Sequence, residues 1–276
     1  MSKIELPKRI ADSHKGTCGK TAVFGGSMGM AGAVCLASTA ALRIGAGVSY
    51  AVVPRDILEI CQIKLTEVMV RSDSEAEKIF GMADSVVIGP GYLSKKGITH
   101  IMDIAQQSSK PMVIDAEGLK YISTTGASNS ANGTPNTIGT PNCVITPHEG
   151  EFAGMLSVSR EYVHENREKL AAEYAVKNNC VVLLKGKNTV IASETGEIFI
   201  NKTGGNGLST AGSGDVLSGI IGGLMAQGLS PLKAALTGAH IHGLAGDLAE
   251  KDMSPYSLMA TDILNYIGKA ILVLKG

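Results

Sequence analysis

The chain has no tryptophan and only four phenylalanines among its 276 residues. Its core must therefore be built from Ala, Val, Ile, Leu and Met. It also lacks net charge, because 25 Lys and Arg balance 25 Asp and Glu. Without a basic excess or stripe there is no electrostatic footprint for nucleic acid. The five cysteines, Cys18, Cys35, Cys61, Cys143 and Cys180, are odd in number and form no CxxC pair. A disulfide framework is not expected; small core residues in a reducing cytoplasm are. No apolar run of about 20 residues escapes small-residue breaks and charges, so no membrane span is expected. The N-terminal residues contain no apolar stretch of signal-peptide length. The glycine-rich stretch Gly25-x-x-x-Gly29-x-x-Gly32 does not have the G-x-G-x-x-G spacing, and the strand after it leads into Pro54-Arg55 with no acid. That argues against a dinucleotide fingerprint and a hydride-transferring dehydrogenase.

What is present in quantity is aliphatic residues and glycine. Hydrophobic residues make up 44% of the chain and glycine 34 positions, enough for one large domain over 1–276 with a sizeable core. Apolar runs predict strands over 21–24, 48–53, 85–88, 112–115, 143–146 and 181–185. Helical periodicity predicts helices over 30–44, 74–81, 96–107, 160–177, 214–227, 231–250 and 261–274. This alternation implies an α/β fold with a mainly parallel sheet covered on both faces. The segments 188–192 and 197–200 flank Glu194-Thr195-Gly196 and read as a hairpin on one sheet edge. In the 160–177 helix Val163, Leu170 and Tyr174 share one side, and Glu165 and Lys169 stand at the favourable i, i+4 spacing. The helix from Gly214 is apolar nearly all round and should be buried. Its Gly219, Gly222 and Gly223 each cost about 1 kcal/mol of helix propensity relative to Ala, so close approach of this helix to the sheet is expected. The stretch 123–142, with Gly-Thr-Pro-Asn twice, reads as a mobile loop insertion.

The most informative segment is Thr210-Ala211-Gly212-Ser213-Gly214-Asp215, where a small flexible loop runs into an apolar helix with one acid at the junction. Gly212, Ser213 and Gly214 can close backbone N–H groups around an anion, and the helix start adds partial positive charge. Asp215 then stands where a hydroxyl proton could be taken as a phosphoryl group arrives. Alone, the same residues could be a helix start with an ordinary first-turn acid. His240 and His242, two apart on a helix, point to nearly opposite sides and cannot chelate one ion together. Asp115 closes a strand facing the expected cleft, with a metal- or substrate-side role and a capping role equally open.

Further motifs occur in a fixed order. They are Ser13-His14-Lys15-Gly16-Thr17, Gly25-Gly26-Ser27-Met28-Gly29-Met30-Ala31-Gly32-Ala33, Ile88-Gly89-Pro90-Gly91, Asp115-Ala116-Glu117-Gly118-Leu119, Thr146-Pro147-His148-Glu149-Gly150-Glu151 and Lys185-Gly186-Lys187-Asn188-Thr189, followed by the 211–215 loop. The set resembles the ADP/ATP-dependent NAD(P)H-hydrate dehydratases over roughly residues 7 to 274. That resemblance implies a ribokinase-like three-layer α/β/α sandwich with an edge hairpin. It implies dehydration of the S epimer of hydrated NADH or NADPH back to the coenzyme, with ADP as phosphoryl donor and AMP and phosphate as products. By resemblance, Asp215 is the base and Gly212, Ser213 and Gly214 form the anion loop. Gly32, Ala33, Gly91, His148 and Asp215 meet the substrate, while Lys185, Gly186, Lys187, Asn188, Thr189, Gly214 and Asn206 meet the nucleotide. Glu151 matches the acid that related kinases use to organise Mg²⁺. The resemblance also implies a cytoplasmic homo-oligomer, a tetramer by preference, acting beside a separate epimerase. With no fused epimerase in the 276 residues, ADP rather than ATP is the expected donor. The chain departs from the family in reading Thr203-Gly204-Gly205-Asn206 where Thr-Gly-Asn is usual, and in carrying Glu149 where proline is usual. A small-alcohol kinase of the hydroxyethylthiazole or hydroxymethylpyrimidine type would share the Gly-Ser-Gly-Asp loop, but Gly-Met-Ala-Gly-Ala and Thr-Pro-His argue against it. A non-catalytic nucleotide sensor would have no need of Asp215.

Overall fold

The computed structural model describes residues 4–125 and 142–275. Its strands are β1 (Lys20–Phe24), β2 (Val48–Val53), β3 (Met69–Ser72), β4 (Ser85–Ile88), β5 (Met112–Ile114), β6 (Cys143–Ile145), β7 (Val181–Leu184), β8 (Thr189–Ala192) and β9 (Ile198–Asn201). The helices are α1 (Ala31–Arg43), α2 (Leu58–Lys64), α3 (Ala76–Met82), α4 (Lys95–Gln106), α5 (Glu117–Thr125), α6 (Glu149–Leu156), α7 (Arg160–Glu165), α8 (Arg167–Asn178), α9 (Ser213–Ala226), α10 (Pro231–Asp252) and α11 (Ala260–Lys275).

Among the described residues the strands form one sheet in the order β3-β2-β1-β4-β5-β6-β7-β8-β9. Strands β1 to β7 pair in parallel, and β8 and β9 add on antiparallel. Successive strand side chains point to opposite faces. Val23, Ala51, Val87 and Val113 thus enter one core with α1, α9, α10 and α11. Phe24, Val52, Ile88 and Ile114 enter the other, which α3, α4, α5, α6, α7 and α8 cover. Burial on both faces is why these strands read as continuous apolar runs. The expected three layers and the edge hairpin are both present.

Several elements differ from the sequence expectation. Strand β3 lies at the sheet edge with only Val70 buried, so it shows no apolar run. Helices α5 and α6 are short and lie outside the predicted helices. The predicted 160–177 helix is two helices, α7 and α8. At the break the Asn166 side-chain amide donates to the Tyr162 carbonyl at 2.9 Å and its own N–H turns to Val163. Local bonding of this kind competes with helix continuation. Val163 and Leu170 still enter one core, and Tyr174 packs edge-on against Phe152 at 5.5 Å, but the Glu165–Lys169 pair straddles the break. Helix α5 runs to Thr125, the third residue of the expected 123–142 insertion; 126–141 lie outside the described residues.

The glycines of α9 do not all face the sheet. Only Gly222 does, where an added Cβ would lie 2.4 Å from Val87 Cγ2. Gly219 and Gly223 instead face the backbone of α1, with such a Cβ 2.0 Å from the Ala37 carbonyl oxygen and 2.8 Å from that of Ala41. The middle and C-terminal half of α9 are thus held close to both the sheet and α1.

Candidate functional site

In an open parallel sheet, ligands bind beyond the carboxyl ends of the strands, at the point where strand order reverses. Here that point lies between β1 and β4. The turns after these strands meet: the Gly26 N–H donates to the Pro90 carbonyl at 2.8 Å. Gly91 has φ +65°, and a Cβ on it would lie 2.9 Å from the Ala33 Cβ and from the Met30 carbonyl oxygen. Two predicted substrate positions, Gly91 and Ala33, are thus in direct apposition at the start of α1. Gly32 beside them faces open space. Ser27 ties the two turns, its hydroxyl donating to the Gly91 carbonyl while accepting from the Leu93 N–H.

A cavity of about 580 Å³ opens alongside. Lys185, Gly186, Lys187 and Thr189 from the β7–β8 turn form one wall. Thr203, Gly204, Gly205 and Asn206 form another, and Ser213, Gly214, His148 and His242 close the end. Seven predicted nucleotide-side or anion-loop residues therefore share one cavity: Lys185, Gly186, Lys187, Thr189, Asn206, Ser213 and Gly214. Asn188 turns away with φ +55° and lines a neighbouring groove. Gly212, Glu151, Asp215 and the Gly32–Ala33–Gly91 cluster border this region without lining the cavity itself. Asn206 opens a short 3₁₀ turn (Asn206–Leu208). The segment is held from α10, with Asp247 accepting from the Gly204 N–H at 3.0 Å and Glu250 from the Gly207 N–H at 2.7 Å.

Gly212, with φ +88°, caps α9. Ser213, Gly214 and Asp215 are the first residues of that helix, whose opening N–H groups have no acceptor within it. His242 underlies this turn. Its Nε2–H donates to the Ser213 carbonyl at 3.0 Å, and the Ser213 hydroxyl oxygen lies 3.2 Å from the same nitrogen. Burial pulls the imidazole down to about 4, against the opposing effect of the Ser213 carbonyl, so it stands neutral near pH 7.

Behind the turn lies a charge cluster. Lys185 Nζ is 3.0 Å from Asp115 Oδ1 and 3.8 Å from Glu151 Oε2. The Ser218 hydroxyl donates to the other Asp115 oxygen at 2.6 Å. Asp115 is thus a buried partner of Lys185 and Ser218, a role neither of its sequence readings anticipated. Lys185 Nζ also lies 3.4 Å from where a Gly214 Cβ would be, so the ammonium sits against the first turn of α9. Burial alone would depress the Lys185 pKa, but Asp115, Glu151 and Asp215 together hold it above the usual lysine value. Burial pushes the Asp215 carboxyl up to about 7; Asp115 adds to the rise and Lys185 opposes it. Removing one partner of a buried ion pair leaves the other uncompensated, so Asp115→Asn is expected to cost about 3 kcal/mol in urea unfolding.

His148 and Glu151 cap α6 reciprocally: Glu151 N–H donates to His148 Nδ1 at 3.0 Å, and His148 N–H donates to Glu151 Oε2 at 2.8 Å. Glu151 is therefore both a first-turn helix acid and a neighbour of Lys185. Among the described residues no group of three His, Cys, Asp or Glu side chains could hold a metal by itself.

Sequence reasoning missed His242, Asp247, Glu250 and Ser218. One signal was available. Gly243, Asp247 and Glu250 recur at helical spacing on α10, a gripping stripe on an otherwise largely buried helix.

A family model described as NAD(P)H-hydrate dehydratase matches residues 21–269. A bifunctional NAD(P)H-hydrate repair enzyme, Nnr, from Moorella thermoacetica is 39% identical over 279 residues, covering 95% of this chain and 51% of the relative. The ADP-dependent (S)-NAD(P)H-hydrate dehydratase of Neisseria meningitidis is 38% identical, covering 88% of this chain and 81% of its own length. The chain spans about half the length of the bifunctional relatives it matches. The ADP/ATP-dependent NAD(P)H-hydrate dehydratase of Bacillus subtilis, co-crystallised with ATP/Mg²⁺, superposes with TM-score 0.85 at 27% identity over 98% of this chain and 94% of that one. With the fold, the ordered motifs and these matches in agreement, the chain belongs to the NAD(P)H-hydrate dehydratase family.

Proposed function

We propose that residues 1–276 act as a single catalytic domain that dehydrates the S epimer of hydrated NADH or NADPH, using ADP as phosphoryl donor and releasing AMP and phosphate. The observation that carries this reading is Asp215, its pKa near 7, at the head of α9 beside Lys185 and a cavity lined by Ser213 and Gly214. A base poised near ambient pH next to the main-chain donors of a helix start suits transfer to a hydroxyl.

Hydroxide is a poor leaving group from the hydrated ring. In the proposed first step Asp215 takes the proton of that hydroxyl as its oxygen attacks the terminal phosphorus of ADP. The bond to the departing AMP breaks, and the α9 N–H groups and Lys185 stabilise the oxygens carrying the charge. In the second step the ring-nitrogen lone pair expels phosphate, and loss of a proton from the adjoining ring carbon restores the double bond. The apposed Gly91 and Ala33, with Gly32 and His148, form the substrate side; Lys185, Gly186, Lys187, Thr189 and Asn206 form the nucleotide side, with Asn188 at its outer edge. Closure of the two sides keeps water from the phosphorylated intermediate.

The residues fit Mg²⁺. Glu151 supplies one partly exposed carboxylate beside Lys185, and this ion takes few carboxylates alongside water and phosphate oxygens. When bound it would neutralise charge on the phosphates. We further take the protein to be a cytoplasmic homo-oligomer, a tetramer by preference, working beside a separate epimerase. Among the described residues no helix is long and apolar enough to cross a membrane.

Purified protein with Mg²⁺ and ADP is expected to regenerate NADH absorbance from hydrated NADH and to release equimolar AMP and phosphate. Parallel reactions with ATP and without nucleotide identify the donor. Phosphorylation of a thiazole alcohol without any dehydration would replace this reading with that of a small-alcohol kinase.

A further inference from the structure

Behind the nucleotide-side wall, Arg167 occupies the first position of α8 without touching the cavity. Its guanidinium donates to three main-chain carbonyls of the β7–β8 turn: Lys187 at 2.7 Å, Leu184 at 3.1 Å and, more weakly, Lys185 at 3.4 Å. Gly186 has φ +144°, and any Cβ there would lie 2.9 Å from Arg167 Nη2. The turn is therefore folded tightly around the guanidinium. A trans peptide directs its C=O and N–H to opposite sides. Drawing the Lys185 carbonyl back to Arg167 turns the Gly186 N–H the other way, where Gly186 lines the cavity.

Arg167 is itself oriented. Its Nε is buried without a hydrogen-bond acceptor and lies 3.6 Å from Glu149 Oε1. Both side chains are largely buried, at 14% and 13% exposure. Glu149 also meets His164 at 3.0 Å and Arg160 at 3.7 Å. It is the residue that stands where the family usually has proline, and it adjoins His148 at the cavity end. Main-chain contacts join the same two turns, with the Lys185 N–H donating to the Pro147 carbonyl at 2.8 Å.

We propose that Arg167, steered by Glu149, is a positioning residue that sets the main-chain orientation of the 184–187 turn for an adenine nucleotide. The proposal rests on the reading of this cavity as the nucleotide site. Lysine cannot replace it fully, because an ammonium point charge does not span the Leu184 and Lys187 carbonyls as a planar fork does.

The test measures ADP affinity by calorimetry with Mg²⁺, and KM for ADP and for hydrated NADH separately, on the full chain. Arg167→Met is expected to raise Kd and KM for ADP about tenfold while KM for hydrated NADH stays within about twofold. Arg167→Lys should fall between Arg167→Met and wild type, and Glu149→Gln should raise the ADP values about threefold. If Arg167→Met does not fold, Arg167→Lys decides by the same split. Unchanged ADP affinity in a folded Arg167 variant, or an equal rise in both KM values, overturns the proposal alone. Failure of the wild-type protein to bind ADP or ATP overturns the nucleotide reading first, and this proposal with it.

Discussion

Asp215→Asn is expected to lower the dehydration rate by about 10³-fold, within the range general-base catalysis supplies, while nucleotide affinity changes little. The amide keeps the shape of the side chain but cannot take a proton. In the wild-type protein the reaction should rise with pH through the neutral region, because burial pushes the carboxyl up to about 7 and only the deprotonated form can act. Stability should move the other way. A carboxyl whose folded value lies above its ordinary 3.8 binds its proton more tightly in the folded state, so stability falls as pH rises from about 4 to about 7. Above that window the wild-type protein bears the full cost of a buried charge, at most a few kcal/mol on the scale of 1.36 kcal/mol per unit. Asp215→Asn should therefore be the more stable protein in urea at pH 8, with the difference vanishing below pH 4. A variant with wild-type turnover would remove Asp215 from the role of base. Equal stability at both pH values would remove the buried charge.

The largest effect on stability is expected from a methyl group. Gly219→Ala would place a Cβ 2.0 Å from the Ala37 carbonyl oxygen, with further α1 backbone atoms at 2.7 and 2.9 Å. Nothing at this contact is a flexible side-chain end, so α1 and α9 must separate. A loss of about 3–5 kcal/mol is expected, at the upper end for a single substitution. Because α1 begins at Ala31, beside Gly32 and Ala33, and α9 at Ser213, two residues before Asp215, the surroundings of these residues should shift with it. Gly268→Ala on α11 is the internal comparison. Nothing lies within 4 Å of its added Cβ, so it should gain about 0.5–1 kcal/mol from helix propensity alone. Urea midpoints for the two variants that move in the same direction would contradict the packing argument.

Much of the frame was legible in the residues. Strands β1, β2 and β4 stand out because a parallel strand covered on both faces is rich in apolar residues on both, rather than alternating. The hairpin of β8 and β9 stands out because Glu194-Thr195-Gly196 interrupts two short strand-forming runs. Strand β3 left no comparable trace, since an edge strand with one buried residue carries no period. The break at Asn166 was hidden because the apolar spacing of Val163 and Leu170 continues across it. On the site, glycine placement marked 211–215 as a turn that could face an anion, whereas 185–189 stood out only through the family resemblance. Their partners were not legible: Asp115 reaches Lys185 across 70 positions of sequence and Ser218 across 103.

By itself, the amino-acid order determined the layers, the direction of most strands, the glycine turns at their carboxyl ends and the acid at the head of α9. Each of these depends on neighbours a few residues away, through side-chain period or backbone freedom, and such information is written locally. Only the tertiary structure decided which turns face each other, that Gly219 looks at α1 and not the sheet, and that Asp115 is the counter-ion of Lys185. It also decided that Asp215 is buried enough for its carboxyl to hold a proton near neutrality. Those outcomes depend on strand order and on the desolvation contributed by residues far apart in the chain, and no short window of sequence contains them.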